Sequence, residues 1–239
     1  MTSLAEGRIF TSRERFETMP AERIHLIRHG EVHNPERVIY GRLPNFHLSE
    51  RGKLMAARAA EELKNQQRVI TKLVVSPMLR AQQSSVPIAN LYGLEAETDS
   101  RITEASNIFE GKRISVRRIL LQPKVWFHLR NPALPSWGEP YELLATRMLD
   151  AIEQAWQQTE TGDVALVSHQ LPIWTARRKI MGQKLPHDPR NRRCTLSSIT
   201  SFEFIDGKFE VILLWWIAAM LVVGFILGHT KYGNWILAL

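Results

Sequence analysis

The sequence has almost no cysteine and no targeting segment at its start. Cys194 is the single cysteine among 239 residues, so an internal disulfide is excluded and no oxidising compartment is indicated. We expect Cys194 to be a small buried or half-buried side chain rather than a nucleophile. Residues 1–20 are polar and mixed in charge, without the apolar central run of a signal peptide, and are interpreted as a flexible leader.

Metal-binding patterns and repeated segments are also lacking. The sequence contains no HExxH motif and no paired cysteines, so we expect neither a metal nor another cofactor. It contains no internal repeat and no low-complexity tract. With 44% apolar and 23% charged residues, the composition is that of one globular domain of ordinary size, or at most two small ones.

Acidic residues are outnumbered, which gives a net charge of +7. The basic residues cluster in 112–118, 177–179 and 190–193. This balance favours anionic partners: phosphorylated metabolites, acidic lipid headgroups or nucleic acid. No nucleic acid is expected, because the sequence has no recognised DNA- or RNA-binding motif and its aromatic residues are not interleaved with the basic clusters.

Short β-branched runs alternate with segments of helical composition. Asp206-Gly207 separates two further apolar runs and is a strong signal for a two-residue hairpin turn. This order predicts a three-layer α/β/α sandwich with a mostly parallel central sheet. The predicted strands are 24–27, 72–75, 164–168, 197–205 and 208–213, and the predicted helices are 49–65, 77–92, 139–158 and one that starts near Pro172.

Polar side chains follow each of the first three predicted strands. Arg28 and His29 end the first strand, Arg80 comes shortly after the second, and His169 follows the third. In sheets of this kind, ligands bind beyond the carboxyl ends of the strands. We therefore expect two imidazoles and two guanidinium groups to meet at one edge of the sheet.

Four segments in this order resemble the motifs of the histidine phosphatase superfamily, in its phosphoglycerate mutase-like branch. The resemblance extends over residues 23–210, and we take 21–210 as the catalytic domain. It implies the phosphoglycerate mutase-like fold and a small phosphorylated substrate. The segments are LIRHGEVHNP (26–35), VVSPMLRAQQSS (74–85), ITEASNIFEG (102–111) and ALVSHQLPIW (165–174).

The resemblance also implies a role for five residues. His29 would be the nucleophile that takes the phosphoryl group, and Glu104 would be the general acid that protonates the leaving oxygen. Arg28 and Arg80 would bind the phosphate oxygens, and His169 would complete both the catalytic set and the phosphate site. The implied activity is that of a phosphatase which forms a phosphohistidine and uses no metal.

Elementary chemistry agrees with these roles. A neutral imidazole is a good nucleophile at neutral pH, and two nearby guanidinium groups disfavour its protonation. Arginine presents planar forked donors that match a phosphate group. A carboxyl group near the leaving oxygen can donate a proton first and then accept one from the attacking water.

The chain departs from the family pattern at three positions. Val32 stands where family members often have Thr or Ser, Asn34 comes one position early, and Gln170 follows the second histidine where glycine is common. We regard Asn34 and Gln170 as candidate substrate-binding residues. Arg42 is a third candidate, because it lies on the loop expected to overhang the pocket.

Two other functions stay open at this point. A phosphoglycerate-type mutase carries the same motifs and returns the phosphoryl group to its substrate. A non-catalytic phosphate-binding module would keep the phosphate site alone. His29 and Glu104 argue against such a module, because binding needs no general acid.

The C-terminal segment 211–239 contains the longest apolar run in the chain. Residues 211–228, VILLWWIAAMLVVGFILG, include no charged residue. Trp215-Trp216 near the start of this run, and Tyr232 with Trp235 beyond its end, are placed as in an aromatic belt. We expect an apolar helix. Membrane contact through 213–230 as a tail anchor on a cytoplasmic enzyme is favoured over an interfacial helix or a helix that packs in a homodimer. A strand over 208–213 would leave too few residues to span the bilayer.

Overall fold

The computed structural model describes residues 21–113, 138–205 and 208–212. Strands and helices alternate along most of this chain, and two short 3₁₀ turns lie at Ser100–Ile102 and Pro189–Asn191. The elements are β1 (Arg23–Arg28), α1 (Glu50–Asn65), β2 (Ile70–Val75), α2 (Leu79–Tyr92), β3 (Ala96–Thr98), α3 (Tyr141–Gln157), β4 (Asp163–Ser168), α4 (Gln170–Ile180), β5 (Ile199–Ile205) and β6 (Lys208–Val211).

The six strands form one mixed sheet in the order β3-β2-β4-β1-β5-β6. The four strands β1 to β4 pair in parallel, whereas β5 is antiparallel to β1 and β6 is antiparallel to β5. The predicted parallel core is therefore present, and a third of the sheet departs from it. The tight turn explains the β5–β6 part of this departure, because two consecutive strands joined by such a turn can pair only in the antiparallel sense.

Helices cover both faces of the sheet. Ile24 and Leu26 of β1 belong to a buried cluster with α3 and α4. Ile27 belongs to a second cluster with α1 and α2 on the opposite face. Successive side chains of a strand point to opposite faces, so each buried strand must be apolar on both. This explains the uninterrupted apolar run of β4 and the apolar run of β1, in which only the buried His25 is polar.

Local signals set the helix boundaries close to the predicted ones. The Ser49 hydroxyl accepts a hydrogen bond from the backbone N–H of Gly52 at 3.0 Å and caps α1. Helix α2 ends at Gly93, whose φ of 67° is the left-handed conformation that glycine adopts without strain. The sequence reasoning missed β3, because its three residues are half-buried or exposed at the sheet edge and carry no apolar alternation.

A buried ionic cluster ties β1 to β4 at the sheet end opposite the strand carboxyl termini. Asp163 is fully buried and accepts hydrogen bonds from His25 Nε2 at 3.0 Å and from Arg68 Nε and Nη2 at 2.5 and 2.7 Å. Burial raises the pKa of Asp163, but the hydrogen bonds from His25 and Arg68 outweigh it and hold that pKa below its usual value. The carboxylate is therefore charged and fully paired.

The predicted hairpin is present, and its turn at 206–207 lies outside the described residues. Ile205 pairs with Lys208, and β6 ends at Val211 rather than at 213. The apolar C-terminal helix and the membrane contact predicted for 213–230 also lie outside the described residues. Within the described ranges, none of the helices combines the length and apolarity that crossing a bilayer requires.

Candidate active site

The carboxyl ends of β1 and β4 bring two histidines together. Arg28 and Ser168 are register partners in these parallel strands. The next residue, His29, donates its backbone N–H to Ser168 O at 3.0 Å. The rings of His29 and His169 lie 5.2 Å apart, centroid to centroid, and both side chains are buried. The two imidazoles thus share one enclosed site.

The hydrogen bond of the His29 ring defines its tautomer. Nδ1 lies 2.8 Å from Gly30 O. A carbonyl oxygen can only accept, so Nδ1 carries the proton and Nε2 keeps its lone pair in the neutral ring. A nucleophilic imidazole requires this arrangement.

Burial and neighbouring charge keep His29 neutral. Burial is the largest effect and the Arg80 guanidinium adds to it, so the pKa falls from 6.5 to about 3, although the Gly30 carbonyl opposes the shift. Arg28 lowers this pKa further. The imidazole is therefore unprotonated over the whole physiological pH range.

His169 lies beside the Ser76 hydroxyl. Its Nε2 is 2.7 Å from Ser76 Oγ, and its buried Nδ1 has no hydrogen-bond partner among the described residues. The same Oγ accepts the backbone N–H of Met78 at 3.4 Å. Ser76 can therefore donate its own proton to Nε2, which leaves the His169 proton on Nδ1 as a free donor. Burial and then the nearby His29 lower the pKa of His169 well below its ordinary value.

Arg28 and Arg80 enter the site with part of their hydrogen-bonding capacity unused. Arg28 Nη1 donates to Cys194 O, and Arg80 Nη2 donates to Gly41 O, each at 2.6 Å. Arg80 is fully buried and its guanidinium lies 4.8 Å from the centroid of the Tyr40 ring. The Nε atoms of both arginines are buried without a partner among the described residues. A bound anion would satisfy these donors.

Two glycines let the backbone after His29 lie directly on the start of α1. A Cβ added at Gly30 would stand 2.3 Å from Gly52 O, and one added at Gly52 would stand 2.0 Å from Glu31 O. No other residue type fits either position without moving the backbone. Glycine is therefore required at position 30, where the backbone contacts Gly52 and its carbonyl oxygen accepts the hydrogen bond from His29.

Glu104 follows the 3₁₀ turn Ser100–Ile102 and faces the same cations. Its Oε1 accepts the backbone N–H of Ala105 at 2.9 Å. Burial raises the pKa of Glu104, although this hydrogen bond and the charges of Arg80, Arg192 and Arg28 act in the opposite direction. A carboxyl group with a raised pKa near bound phosphate is suited to donate a proton.

The Glu104 backbone is held by two arginines that share one carboxylate. Its carbonyl oxygen accepts Arg42 Nε at 2.5 Å and Arg147 Nη2 at 3.4 Å. Glu139 in turn accepts Arg147 Nε at 2.7 Å, Arg147 Nη2 at 2.9 Å and Arg42 Nη2 at 3.0 Å. Arg42, which the sequence predicts to contact substrate, thus also holds the Glu104 backbone in place through these hydrogen bonds. Sequence reasoning missed Glu139 and Arg147, since no motif contains them.

The other two candidate substrate residues also make internal hydrogen bonds. The Asn34 side-chain amide forms two hydrogen bonds with the backbone of Val38. Asn34 Nδ2 donates to Val38 O at 2.8 Å, and Asn34 Oδ1 accepts the backbone N–H of Val38 at 3.2 Å. Gln170 Nε2 donates to Cys194 O at 3.2 Å and so shares its acceptor with Arg28. Asn34 thus stabilises the loop over residues 34–38, while Gln170 lies next to the Arg28 guanidinium. Their contact with substrate remains a prediction.

Acid should weaken the fold through His29. The unfolded chain protonates this imidazole below its ordinary pKa of 6.5, whereas the folded protein keeps it neutral down to about pH 3. The free energy of unfolding is therefore highest above pH 6.5 and declines as the pH falls towards 3. At pH 5 the neutral His29 accounts for a loss of about 2 kcal/mol. Urea unfolding should be measured at pH 7 and at pH 5. Between these two pH values, the free energy of unfolding of His29→Gln should fall by about 2 kcal/mol less than that of wild type.

A His33→Gln variant is the control for that measurement, because it removes an exposed imidazole of the neighbouring loop. If His29→Gln and His33→Gln reduced the acid sensitivity equally, the folded protein would not be holding His29 neutral.

Comparison with known proteins identifies the class. The chain belongs to the histidine phosphatase superfamily, whose branch 1 family model matches residues 24–217. It is 47% identical over 191 residues to the uncharacterized protein Rv0525 of Mycobacterium tuberculosis, an alignment that covers 79% of this chain and 93% of that protein.

Two further proteins are similar to this chain, one in sequence and one in fold. The chain is 27% identical over 186 residues to the probable phosphoglycerate mutase GpmB of Yersinia enterocolitica, covering 74% of this chain and 83% of the relative. Its fold matches the crystal structure of the Entamoeba histolytica phosphoserine phosphatase in complex with 3-phosphoglyceric acid. That match has a TM-score of 0.67 at 19% identity and covers 80% and 95% of the two chains.

Proposed function

We propose that this protein is a phosphatase that hydrolyses a small phosphomonoester in two steps through a phosphohistidine on His29. The observation that carries the proposal is the state of that imidazole. Its Nδ1 proton is bound to Gly30 O and its Nε2 lone pair is free, in a buried site with two arginines that have unused donors.

In the first step, His29 Nε2 attacks phosphorus in line with the ester oxygen. The N–P bond forms, the P–O bond to the alcohol breaks, and the protonated Glu104 carboxyl gives its proton to the departing oxygen. In the second step, the Glu104 carboxylate takes a proton from water while the water oxygen attacks phosphorus. The N–P bond breaks, and phosphate and neutral His29 are released.

Positioned charge and hydrogen bonds would supply most of the stabilisation. Arg28 and Arg80 bind the equatorial phosphate oxygens, and His169 Nδ1 adds a neutral donor. Their side chains are buried or half-buried and are held by carbonyl oxygens or by Ser76, so they need little reorganisation during the reaction.

A mutase is the second candidate, supported by the similarity to the probable phosphoglycerate mutase GpmB. It differs only in the fate of the phosphohistidine, which would pass its phosphoryl group back to an alcohol instead of to water. The phosphoserine phosphatase with the same fold favours hydrolysis. The raised pKa of Glu104 fits both candidates and disfavours a module that only binds phosphate.

The test is a panel of phosphomonoesters that includes p-nitrophenyl phosphate, phosphoserine and 3-phosphoglycerate, with inorganic phosphate and isomerised product both measured. We expect phosphate release, together with a labelled enzyme intermediate that is stable in alkali and labile in acid, as a phosphoramidate is. Isomerisation without phosphate release would establish the mutase instead. Binding of phosphate without turnover of any ester would contradict both.

Attachment to a membrane through 213–230, with the catalytic domain in the cytoplasm, stays a separate proposal. The uncharged run 211–228 and the basic residues that precede it support the proposal. Self-association as a homodimer likewise remains a prediction from sequence.

A further inference from the structure

A third arginine, Arg192, lies next to the proposed phosphate site. It follows the 3₁₀ turn Pro189–Asn191 in the connection from α4 to β5 and is half-buried. Only Arg193 separates it from Cys194, whose carbonyl oxygen accepts Arg28 Nη1 at 2.6 Å and Gln170 Nε2 at 3.2 Å. The segment that carries Arg192 is therefore joined to the phosphate-facing side of the site.

The stem of Arg192 is held by a histidine. Arg192 Nε donates to His187 Nε2 at 2.9 Å, and His187 Nδ1 donates to Leu185 O at 2.6 Å. The His187 ring is in turn packed 5.6 Å from the Tyr141 ring at the start of α3. This chain of contacts fixes the arginine, while its Nη1 and Nη2 atoms have no hydrogen-bond partner among the described residues.

The charge of Arg192 is not balanced by a protein ion pair. Arg42 and Arg147, by contrast, both form salt bridges with Glu139. Among the described residues, Arg28, Arg80 and Arg192 form no salt bridge. The charge of Glu104 acts on both Arg80 and Arg192, and that of Glu110 acts on Arg80 as well. A half-buried cation without a carboxylate partner is costly unless a ligand supplies the negative charge.

The charge balance of the site indicates that Arg192 does not bind the phosphoryl group but another part of the substrate. A phosphomonoester dianion carries two negative charges, which Arg28 and Arg80 match. Glu104 adds no negative charge while it is protonated to act as the acid. Arg192 is then a further cation beside the site. Its charge and that of Glu104 act on each other, and Glu104 is the proposed proton donor to the leaving oxygen, so we assign Arg192 to the alcohol half of the substrate.

We propose that Arg192 forms a subsite for a second anionic group on the alcohol half of the substrate, either a carboxylate or a second phosphate. This inference rests on the proposed phosphatase function. It narrows the substrate to phosphomonoesters of an acidic alcohol and makes Arg192 a specificity-determining residue. Arginine binds either group through two parallel N–H donors, and its free Nη1 and Nη2 atoms provide them.

Matched substrate pairs test the proposal. Phosphoserine and phosphoethanolamine differ by one carboxylate, and 1,3-propanediol bisphosphate and its monophosphate differ by one phosphate. We expect wild type to prefer one anionic member by about 10- to 100-fold in kcat/KM, the size of a charged hydrogen-bonded contact. Arg192→Met should remove that preference and leave turnover of phosphoethanolamine, the monophosphate and p-nitrophenyl phosphate within about 3-fold of wild type.

Arg193→Met is the matched control, because the adjacent arginine is exposed and should keep the wild-type preference. The pair that shows the preference identifies the anionic group. Wild type that hydrolyses p-nitrophenyl phosphate without preferring either anionic ester would overturn the subsite and leave the phosphatase proposal intact. Equal losses on all substrates in Arg192→Met would also overturn it. Failure to hydrolyse any phosphomonoester would refute both proposals together.

Discussion

Replacing His29 with alanine should lower the turnover of p-nitrophenyl phosphate by about 10⁴-fold or more, because the variant has no atom that can accept the phosphoryl group. Alanine removes the Nε2 lone pair and leaves the bulk of the phosphate site in place. Arg28 and Arg80 keep their anchors at Cys194 O and Gly41 O, which do not involve the histidine. The remaining rate would reflect direct attack by water on a bound ester.

Two measurements separate this loss from misfolding. Inorganic phosphate should still raise the thermal stability of His29→Ala, since the binding arginines are intact. The acid-labile phosphoenzyme seen with wild type should disappear. If the variant kept wild-type turnover, another residue would be the nucleophile and the mechanism proposed above would be wrong.

Replacing Glu104 with glutamine should affect substrates according to their leaving groups. We expect kcat/KM for an alkyl phosphate to fall by about 10²- to 10⁴-fold, because an alkoxide leaves poorly without a proton. For p-nitrophenyl phosphate the fall should be less than about 10-fold, because nitrophenolate is stable as the anion. The second step also uses Glu104, so nitrophenolate should appear in a burst before slow hydrolysis of the phosphohistidine.

The pH profile gives an independent check on the same residue. The acid must be protonated at the start, and burial raises the pKa of Glu104. Wild-type kcat/KM for an alkyl phosphate should therefore be high below that pKa and decline as the pH rises through it, and Glu104→Gln should lack this decline. Equal losses for alkyl and nitrophenyl esters would remove Glu104 from the acid role.

The sequence was sufficient to predict that the two histidines lie close together, because local sequence patterns indicate where each strand ends. The runs before His29 and His169 are almost entirely apolar, which predicts buried parallel strands that end at the same edge of the sheet. The structure pairs these two strands directly. Arg80 follows β2, and β2 pairs with β4. The strand order therefore brings these three chain segments to one edge of the sheet. The resemblance then supplied the proposed roles of their residues.

Contacts made between distant segments were not accessible in the same way. Glu139 lies 97 residues from Arg42 and just before α3. The two meet because α3 packs against the 3₁₀ turn that precedes Glu104. Arg192 belongs to a basic cluster whose members all look alike in sequence, and its burial beside His187 distinguishes it. The antiparallel part of the sheet was signalled by Asp206-Gly207, but β3 was too short and too exposed to leave a pattern.

The single carbonyl of Cys194 constrains how such an enzyme can change during evolution. One oxygen atom fixes both Arg28 and Gln170, and the same short loop carries Arg192 two residues earlier. If Arg192 and Arg28 bind substrate as proposed, a shift of this loop that adapted Arg192 to a new metabolite would also displace Arg28. Substrate drift in this lineage is therefore easier through exchange of individual side chains, such as Gln170, than through insertions or deletions in the loop.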